Sequence, residues 1–400
     1  AAVHRCTGVG KCLAAPGVGV MCPSYQATRD EKNSTRGRAR VLQELVDGRL
    51  IDKGWRSPEV HEALDLCLSC KGCLSDCPTG TDMASYKSEV LFQSYRGRIR
   101  PRSHYVLGRL PMWARLTVNS RMAWLANLTL KIPGFAHLAR WIAGVDQRRS
   151  LPQFATHKFT AIRDTPIQSE GKPVVIWADT FTEYFSTAAG EAALALLADA
   201  GYSVQVLSRP QCCGLTWIST GQLDTAREMV QAAVEQLHPF VERQIPVLGL
   251  EPSCLAVLRH DALDLVDDPR AARVAQGVFT LAELLGADDE WEPPNLTGTS
   301  IIVQPHCHQN AVVGFDADMK LLAATGATVE RLGGCCGLAG NFGVEKGHYE
   351  VSVQVAELQL LPAIEAAVPG TIVLADGFSC RTQLDDLANV QALHLAELLS

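Results

Sequence analysis

The chain has 400 residues, of which 47% are hydrophobic and 20% are charged, a globular composition that excludes a disordered or fibrous protein. It contains no run of 18 apolar residues, so we expect no membrane-spanning helix. The net charge of −7 is uneven, because residues 1–171 carry 25 Lys and Arg against 14 Asp and Glu, whereas residues 172–400 carry 11 against 29.

The cysteine content bears on location and chemistry. The 14 cysteines lie in tight clusters and no secretion signal is present, which favours metal ligation in the cytoplasm over a disulfide framework. The basic N-terminal part carries no recognised nucleic-acid motif, so we predict no nucleic-acid partner. The sequence starts without Met and without a leader pattern, so we expect further sequence upstream.

The strongest motif is a Cys-x2-Cys-x2-Cys-x3-Cys-Pro run formed by Cys67, Cys70, Cys73 and Cys77. Bacterial ferredoxins use this spacing to bind one [4Fe-4S] cluster with the first three thiolates and a second cluster with the fourth. A structural zinc site is the alternative, but zinc motifs normally pair two Cys-x2-Cys units. The run therefore predicts iron–sulfur ligation.

An incomplete copy of this motif lies upstream, where Val9 stands in place of the middle cysteine. The exchange of the fourth cysteine predicts cluster A, with Cys22, Cys67, Cys70 and Cys73, and site B, with Cys6, Cys12 and Cys77. Site B has only three thiolates. It holds a three-iron cluster, a four-iron cluster with a non-cysteine ligand such as His4, or nothing.

Capping signals place helices around these cysteines. Ser34, Ser57 and Asp82 each precede a helical pattern, and Pro58 suits a first helical position. Cysteine loops between helices predict an α-helical ferredoxin domain over residues 1–93. Lys71, beside two cluster A ligands, is expected to favour the reduced cluster through its positive charge.

Residues 94–149 form a basic segment with 11 Lys and Arg and one acid, interleaved with Trp113, Trp124 and Trp141. We interpret residues 94–171 as a basic helical connector that packs on or docks against another part of the protein. An anionic membrane surface is the alternative. Prolines divide the segment into short pieces, which disfavours one long helix on a membrane.

The acidic part contains an internal repeat. Each copy alternates short β-rich runs with helical periods, which predicts two α/β units with parallel sheets, at residues 172–291 and 292–400. The cysteines follow predicted strands, at the edge where such sheets bind ligands. The second copy holds Cys307, Cys335, Cys336 and Cys380, which we predict to bind a cluster.

The first copy is degenerate, because Thr180 stands where the second copy has Cys307. Its three cysteines either add ligands or are buried thiols: Cys212, Cys213 and Cys254. His306 and His308 flank Cys307 and are candidates for a catalytic or proton-relay role, against a structural histidine pair as the alternative.

Three motifs carry a family resemblance: Cys22-Pro-Ser-Tyr25, Ser34-Thr-Arg-Gly-Arg38 and Leu64-Asp-Leu-Cys67. They resemble the iron–sulfur half of bacterial FAD-linked D-2-hydroxyacid dehydrogenases, of the D-lactate or D-2-hydroxyglutarate type. The paired cysteines resemble the CCG domain of that group and of heterodisulfide reductase. The resemblance implies an oxidoreductase in which FAD, on the same polypeptide or a partner chain, passes electrons through one to three [4Fe-4S] clusters to a quinone or another acceptor.

The resemblance also places the connector against the flavin half or a second copy, which leaves a homo-oligomer open. No FAD-binding residue is predicted in this chain, since no Gly-x-Gly-x-x-Gly follows a strand. Two other functions remain as alternatives. One is a thiol–disulfide enzyme like heterodisulfide reductase, although Gln383 replaces the second cysteine of its last motif. The other is a non-catalytic electron-transfer subunit, peripheral on the inner face of the membrane.

Overall fold

The computed structural model describes residues 2–15, 19–161 and 171–400. Its N-terminal part is helical and contains α1 (Pro23–Thr28), α2 (Thr35–Asp47), α3 (Pro58–Asp65), α4 (Gly72–Asp76) and α5 (Met83–Tyr95). The Ser34 hydroxyl accepts from the Gly37 amide at 3.0 Å, and Asp82 accepts from two amides of α5, as the capping patterns predict. Helix α3 begins at Pro58 as predicted, but Ser57 makes no side-chain capping bond.

The connector forms four short helices: α6 (Arg102–Val106), α7 (Leu110–Asn119), α8 (Ala123–Lys131) and α9 (Pro133–Ala143). Pro111 and Pro133 lie in the first turns of α7 and α9, so the breaks fall where the prolines predict them. Helices α7 to α9 expose a face that we call the apolar platform: Met112, Trp113, Leu116, Met122, Trp124, Leu128, Ile132, Phe135, Leu138, Trp141 and Ile142. Among the described residues, no helix combines the length and apolar character needed to cross a bilayer.

The first repeat contains a parallel sheet in the order β2-β1-β3-β4. Its strands are β1 (Lys172–Trp177), β2 (Tyr202–Val206), β3 (Val247–Gly249) and β4 (Val278–Phe279). Its helices are α10 (Thr180–Tyr184), α11 (Thr187–Asp199), α12 (Leu215–Ser219), α13 (Leu223–Glu242), α14 (Pro252–Ala256), α15 (Ala262–Leu265), α16 (Arg270–Gly277) and α17 (Leu281–Gly286). A π-helical turn, Val257–Asp261, joins α14 to α15.

The second repeat contains a parallel sheet in the order β6-β5-β7. The strands are β5 (Ser300–Val303), β6 (Thr328–Arg331) and β7 (Ile372–Leu374). The helices are α18 (Asp316–Ala324), α19 (Tyr349–Ala356), α20 (Leu360–Ala366), α21 (Phe378–Ala388) and α22 (Leu395–Leu399). A second π-helical turn, Gln309–Val313, follows His308.

The two repeats exchange their last helices. Helix α17 packs on α18 of the second repeat, and α22 packs on α11 of the first. Both α17 and α22 begin with a capping box, at Thr280 and His394. One apolar cluster therefore contains residues of both sheets, including Ile176 and Val303. The repeated Leu-Ala-Glu-Leu-Leu segments close this shared core.

Burial of Asp318 in α18 is expected to make the stability of the protein depend on pH. Asp318 is buried and accepts from Gln309 Nε2 at 3.0 Å. Burial, together with Asp376, raises the pKa of Asp318 to about 8. A carboxyl whose pKa is raised on folding lowers stability once it ionises, so this cost grows between about pH 4 and about pH 8. We expect Asp318→Asn to match the wild type at about pH 4 and to be more stable at about pH 9 in urea unfolding. A difference that does not change with pH would contradict this assignment.

Candidate metal centres

The four cysteines predicted for cluster A line one small cavity in the N-terminal part. Cys22 caps α1, Cys67 and Cys70 lie in the loop between α3 and α4, and Cys73 is in α4. Ser69 and Lys71 have φ of 55° and 57°, left-handed values that turn this loop between the cysteines. The structure thus brings together the predicted set, and its ligation of iron stays a prediction.

Hydrogen-bond donors approach the cluster A sulfurs. The buried Arg38 guanidinium lies 3.5 Å from Cys22 Sγ, and the Met83 amide donates to Cys73 Sγ at 3.4 Å. Burial raises the pKa of the Cys73 thiol, so a thiolate here needs a bound cation to offset desolvation. Donors and a metal cation together stabilise buried thiolates, which fits an iron–sulfur cluster.

Site B lies nearer the surface. Cys12 is buried, whereas Cys6 and Cys77 are half-buried, and all three pack in the apolar cluster that contains most of the cluster A cysteines. Val9, at the position of the missing cysteine, is 67% exposed. His4 lies 3.9 Å from Asp47 and is half-exposed, which gives it a partner other than a metal. The three thiols of site B remain a predicted, incomplete set.

The second repeat gathers its four cysteines at the carboxyl ends of its strands. Cys307 follows β5, and Cys380 lies in α21 after β7. All four are buried, and side-chain contacts link Cys307 to Cys335, Cys335 to Cys336, and Cys336 to Cys380. Gly337 has φ of 93°, and a Cβ there would approach Ser352 O to 2.2 Å, so only glycine permits this turn after the cysteine pair.

The first repeat also brings its cysteines together, although it lacks the fourth. Cys213 Sγ and Cys254 Sγ lie 2.8 Å apart, and Cys212 contacts Cys213 and the Thr180 hydroxyl. Asp179 is buried beside them, and burial with Glu251 raises its pKa to about 6. The three cysteines form a compact set with a hydroxyl where the second repeat has Cys307.

The spacing of the thiols bears on the zinc alternative. A tetrahedral zinc ion with Zn–S bonds of about 2.3 Å holds its sulfurs about 3.8 Å apart. In the described chain, which includes all 14 cysteines, no three thiols lie within 4.8 Å of one another. In a four-iron cube each thiolate binds a different iron, so its ligands are spread more widely. Among the described residues, no set of three thiols is therefore spaced for a single zinc ion, whereas the sequence spacing of Cys67, Cys70 and Cys73 is that of an iron–sulfur motif.

The cluster A loop lies directly against the second repeat, a contact that no sequence signal indicates. Cys70 packs in one apolar cluster with Cys307 and Cys335. His308 Nε2 donates to the carbonyl of Ser69 at 2.8 Å. The two candidate centres therefore share an interface.

Lys71 ties the same loop to the first repeat. Its ammonium group lies 2.7 Å from Asp82 and 2.8 Å from Asp261, and all three side chains are buried. Burial lowers the pKa of Lys71, but the two carboxylates outweigh it and leave the pKa raised. Asp82, Asp261 and His260 lie within 4.8 Å of one another, and the ammonium group serves as the cation of this site. Two carboxylates therefore offset the positive charge that the sequence places beside cluster A, and the effect of Lys71 on the reduced cluster stays a prediction.

The two histidines predicted as catalytic candidates are buried on either side of Cys307. His306 Nδ1 accepts from the His308 amide at 3.2 Å, and its Nε2 lies 3.4 Å from Ser379 Oγ. Burial lowers the pKa of each imidazole to about 4, so both are neutral near pH 7. Their contacts are structural, and a catalytic role stays a prediction.

Gln383 explains how the chain does without the second cysteine of the heterodisulfide reductase motif. Its amide donates to the Cys336 carbonyl at 2.9 Å and accepts from Arg149 Nη1 at 2.8 Å. Arg149 is fully buried and also donates to Gly343 O at 2.8 Å. Gln383 thus anchors the cysteine pair to the end of the connector.

Comparisons with known families match two kinds of domain to this chain. Residues 2–81 match the 4Fe-4S dicluster domain, and residues 180–259 and 316–385 match the cysteine-rich domain. The D-2-hydroxyglutarate dehydrogenase of Escherichia coli is 23% identical over 99% of this chain, and that of Pseudomonas putida is 26% identical over 100%. This chain spans 43% of the length of each.

A relative of similar length also matches. The probable glycolate oxidase iron–sulfur subunit of Bacillus subtilis is 24% identical, over 99% of this chain and 93% of its own length. The chain is therefore similar over nearly its whole length to this subunit and to part of the dehydrogenases, and it carries one match to the 4Fe-4S dicluster domain followed by two matches to the cysteine-rich domain.

Proposed function

We propose that this chain is the iron–sulfur electron-transfer half of an FAD-linked D-2-hydroxyacid dehydrogenase, with D-2-hydroxyglutarate or D-lactate as substrate. The observation that carries the proposal is the packing of Cys70 against Cys307 and Cys335, which puts two candidate clusters at one interface. A hydroxyacid releases two electrons and a cluster accepts one at a time, so a flavin on another segment or chain is the expected intermediary.

In this function, bound [4Fe-4S] clusters would act as one-electron carriers. The residues of the chain would bind the clusters and bury them away from water. Cys22, Cys67, Cys70 and Cys73 would bind cluster A, and the four cysteines of the second repeat would bind another. Arg38 and the Met83 amide donate toward Cys22 Sγ and Cys73 Sγ, and these bonds would favour the reduced state of a cluster bound there. A quinone or another acceptor would receive the electrons.

The apolar platform is proposed to dock the flavin half. It exposes three tryptophans, with Trp124 62% exposed, in a segment that has a single acid. Exposed apolar residues concentrated in one segment, as here over residues 112–142, are typical of an interaction surface. The alternative partner for the apolar platform is an anionic membrane surface. A peripheral location of the protein on the membrane would require that the platform binds this surface.

The test measures whether electrons from a hydroxyacid reach the iron–sulfur clusters of this chain. The chain, purified without oxygen, is mixed with the flavin-binding segment encoded with it, and D-2-hydroxyglutarate or D-lactate is added. We expect the hydroxyacid to bleach the brown colour of the chain, and Trp124→Asp on the platform to prevent both bleaching and co-elution. Leu50→Asp is the matched control, because Leu50 is 81% exposed outside the platform.

Three outcomes would contradict parts of this proposal. A colourless, iron-free chain would refute the electron-transfer function. Bleaching that survives in Trp124→Asp would refute docking of the flavin half on the platform. Flotation of the wild type with anionic liposomes, abolished in the same variant, would assign the platform to the membrane.

A further inference from the structure

A cavity of about 380 Å³ lies where the N-terminal part, the connector and both repeats meet. This size and position at a junction of domains are typical of sites for small organic ligands. Of the 14 cysteines, all of which lie in the described residues, two line the cavity: Cys67 of cluster A and Cys307 of the second repeat. The cavity is therefore not the binding site of either candidate cluster, but it lies next to both sites.

The walls of the cavity are mainly apolar. Each part of the chain contributes large side chains: Leu64, Leu91, Leu110, Ile218, Leu338 and Phe378. No arginine is among the described residues that line it, so a carboxylate would find no bidentate partner. Three lysines of the described chain line the cavity. Lys71 is paired with Asp82 and Asp261, Lys87 donates to the carbonyls of Asp65 and Cys67, and Lys346 is exposed to solvent. These walls suit a neutral, apolar ligand better than a hydroxyacid anion.

Two polar groups in the cavity wall are available for hydrogen bonds to the oxygens of such a ligand. Thr216 lines the cavity, and its hydroxyl has no hydrogen-bond partner in the described part of the chain. His308 also lines it, and because its Nε2 donates to Ser69 O, its Nδ1 is an acceptor, again unpartnered among the described residues. A hydroxyl donor serves a carbonyl oxygen, and an imidazole acceptor serves a phenolic hydroxyl.

We propose that this cavity binds a quinone as the electron acceptor, an inference that rests on the proposed electron-transfer function. The ring would lie beside Cys67 and Cys307, within reach of electrons from two centres. Reduction adds two electrons, delivered singly from the hydride that the flavin takes from the hydroxyacid, and two protons from water. The two carbonyls of the quinone become the two hydroxyls of the quinol.

The experiment measures binding and does not depend on turnover. Ubiquinone-1 is titrated into the iron-loaded chain, and an azido derivative of it is photolysed and mapped by peptide mass spectrometry. We expect labelling of residues that line the cavity: Leu107, Leu110, Leu215, Thr216, Ile218, Ser219 or the segment 338–342. Leu110→Trp, which fills the cavity from the connector side, is expected to weaken quinone binding at least about tenfold. Leu50→Trp, at an exposed site away from the cavity, is the matched control and is expected to bind as the wild type does.

The outcomes separate this inference from the proposed function. Labelling elsewhere, unchanged binding in an iron-loaded Leu110→Trp, or no binding of ubiquinone-1 would overturn the cavity assignment while hydroxyacid bleaching still supported electron transfer. Competition for the label by oxidised glutathione would overturn it in favour of a disulfide substrate. Because the wild-type labelling map needs no variant, the inference remains testable if Leu110→Trp does not fold.

Discussion

Replacing Cys70 by Ala is expected to remove about four irons per chain, the content of one [4Fe-4S] cluster, together with most dye-linked activity. Cys70 is buried in the loop that carries cluster A, and it also packs against Cys307 and Cys335. Its loss therefore removes a ligand and opens the interface to the second centre. Iron, acid-labile sulfide and the EPR spectrum of the dithionite-reduced chain measure the effect.

Two other cysteine variants serve as controls for Cys70→Ala. Cys380→Ala should remove a different EPR signal, because Cys380 belongs to the second repeat. Cys254→Ala should be milder if the first repeat holds no cluster, and a loss as large as that of Cys380→Ala would show that both repeats ligate. Full iron content in Cys70→Ala would contradict the cluster A assignment.

The variant Lys71→Met is expected to lower the free energy of unfolding by about 3–5 kcal/mol, the cost of leaving buried carboxylates unpaired. Lys71 is 3% exposed and joins Asp82 at the start of α5 to Asp261 in the first repeat. Its removal leaves two buried carboxylates without their cation. Urea unfolding of the iron-loaded chain, followed by circular dichroism, measures the loss.

The exposed Lys11 beside Cys12 offers a matched control, and Lys11→Met should leave the urea midpoint unchanged. Adding Asp82→Asn and Asp261→Asn to Lys71→Met should recover part of the stability, since a neutral set needs no cation. Equal midpoints for the wild type and Lys71→Met would show that the ion pairs do not hold the cluster A loop to the first repeat.

Local patterns predicted the elements of this chain well, whereas contacts between distant segments could not be predicted. The caps at Ser34 and Asp82 depend on neighbouring residues, and the strands after which the cysteines lie depend on short β-rich runs. The exchange of α17 and α22 between the repeats depends on packing between different repeats, and α22 contacts α11 across more than a hundred residues. The repeated motif does not indicate against which repeat its last helix packs.

In the candidate site, too, local sequence patterns predicted some features, whereas contacts between distant segments could not be predicted. Spacing alone selected the four cysteines of cluster A, and the structure places them around one cavity. The paired carboxylates around Lys71 could not be foreseen, since Asp261 lies far along the chain in a segment without a motif. The ligand-sized cavity is likewise lined by four separate parts of the chain, so no single sequence segment predicts it.

The buried bonds between the cluster A loop and both repeats bear on how charge would move in the proposed function. His308 is held on Ser69 and Lys71 on Asp261, so the ferredoxin-like module is attached to both repeats. Electron transfer across this contact is then expected to be a tunnelling event over a constant gap. Its rate should not respond to solvent viscosity, in contrast to carriers that shuttle on a tether.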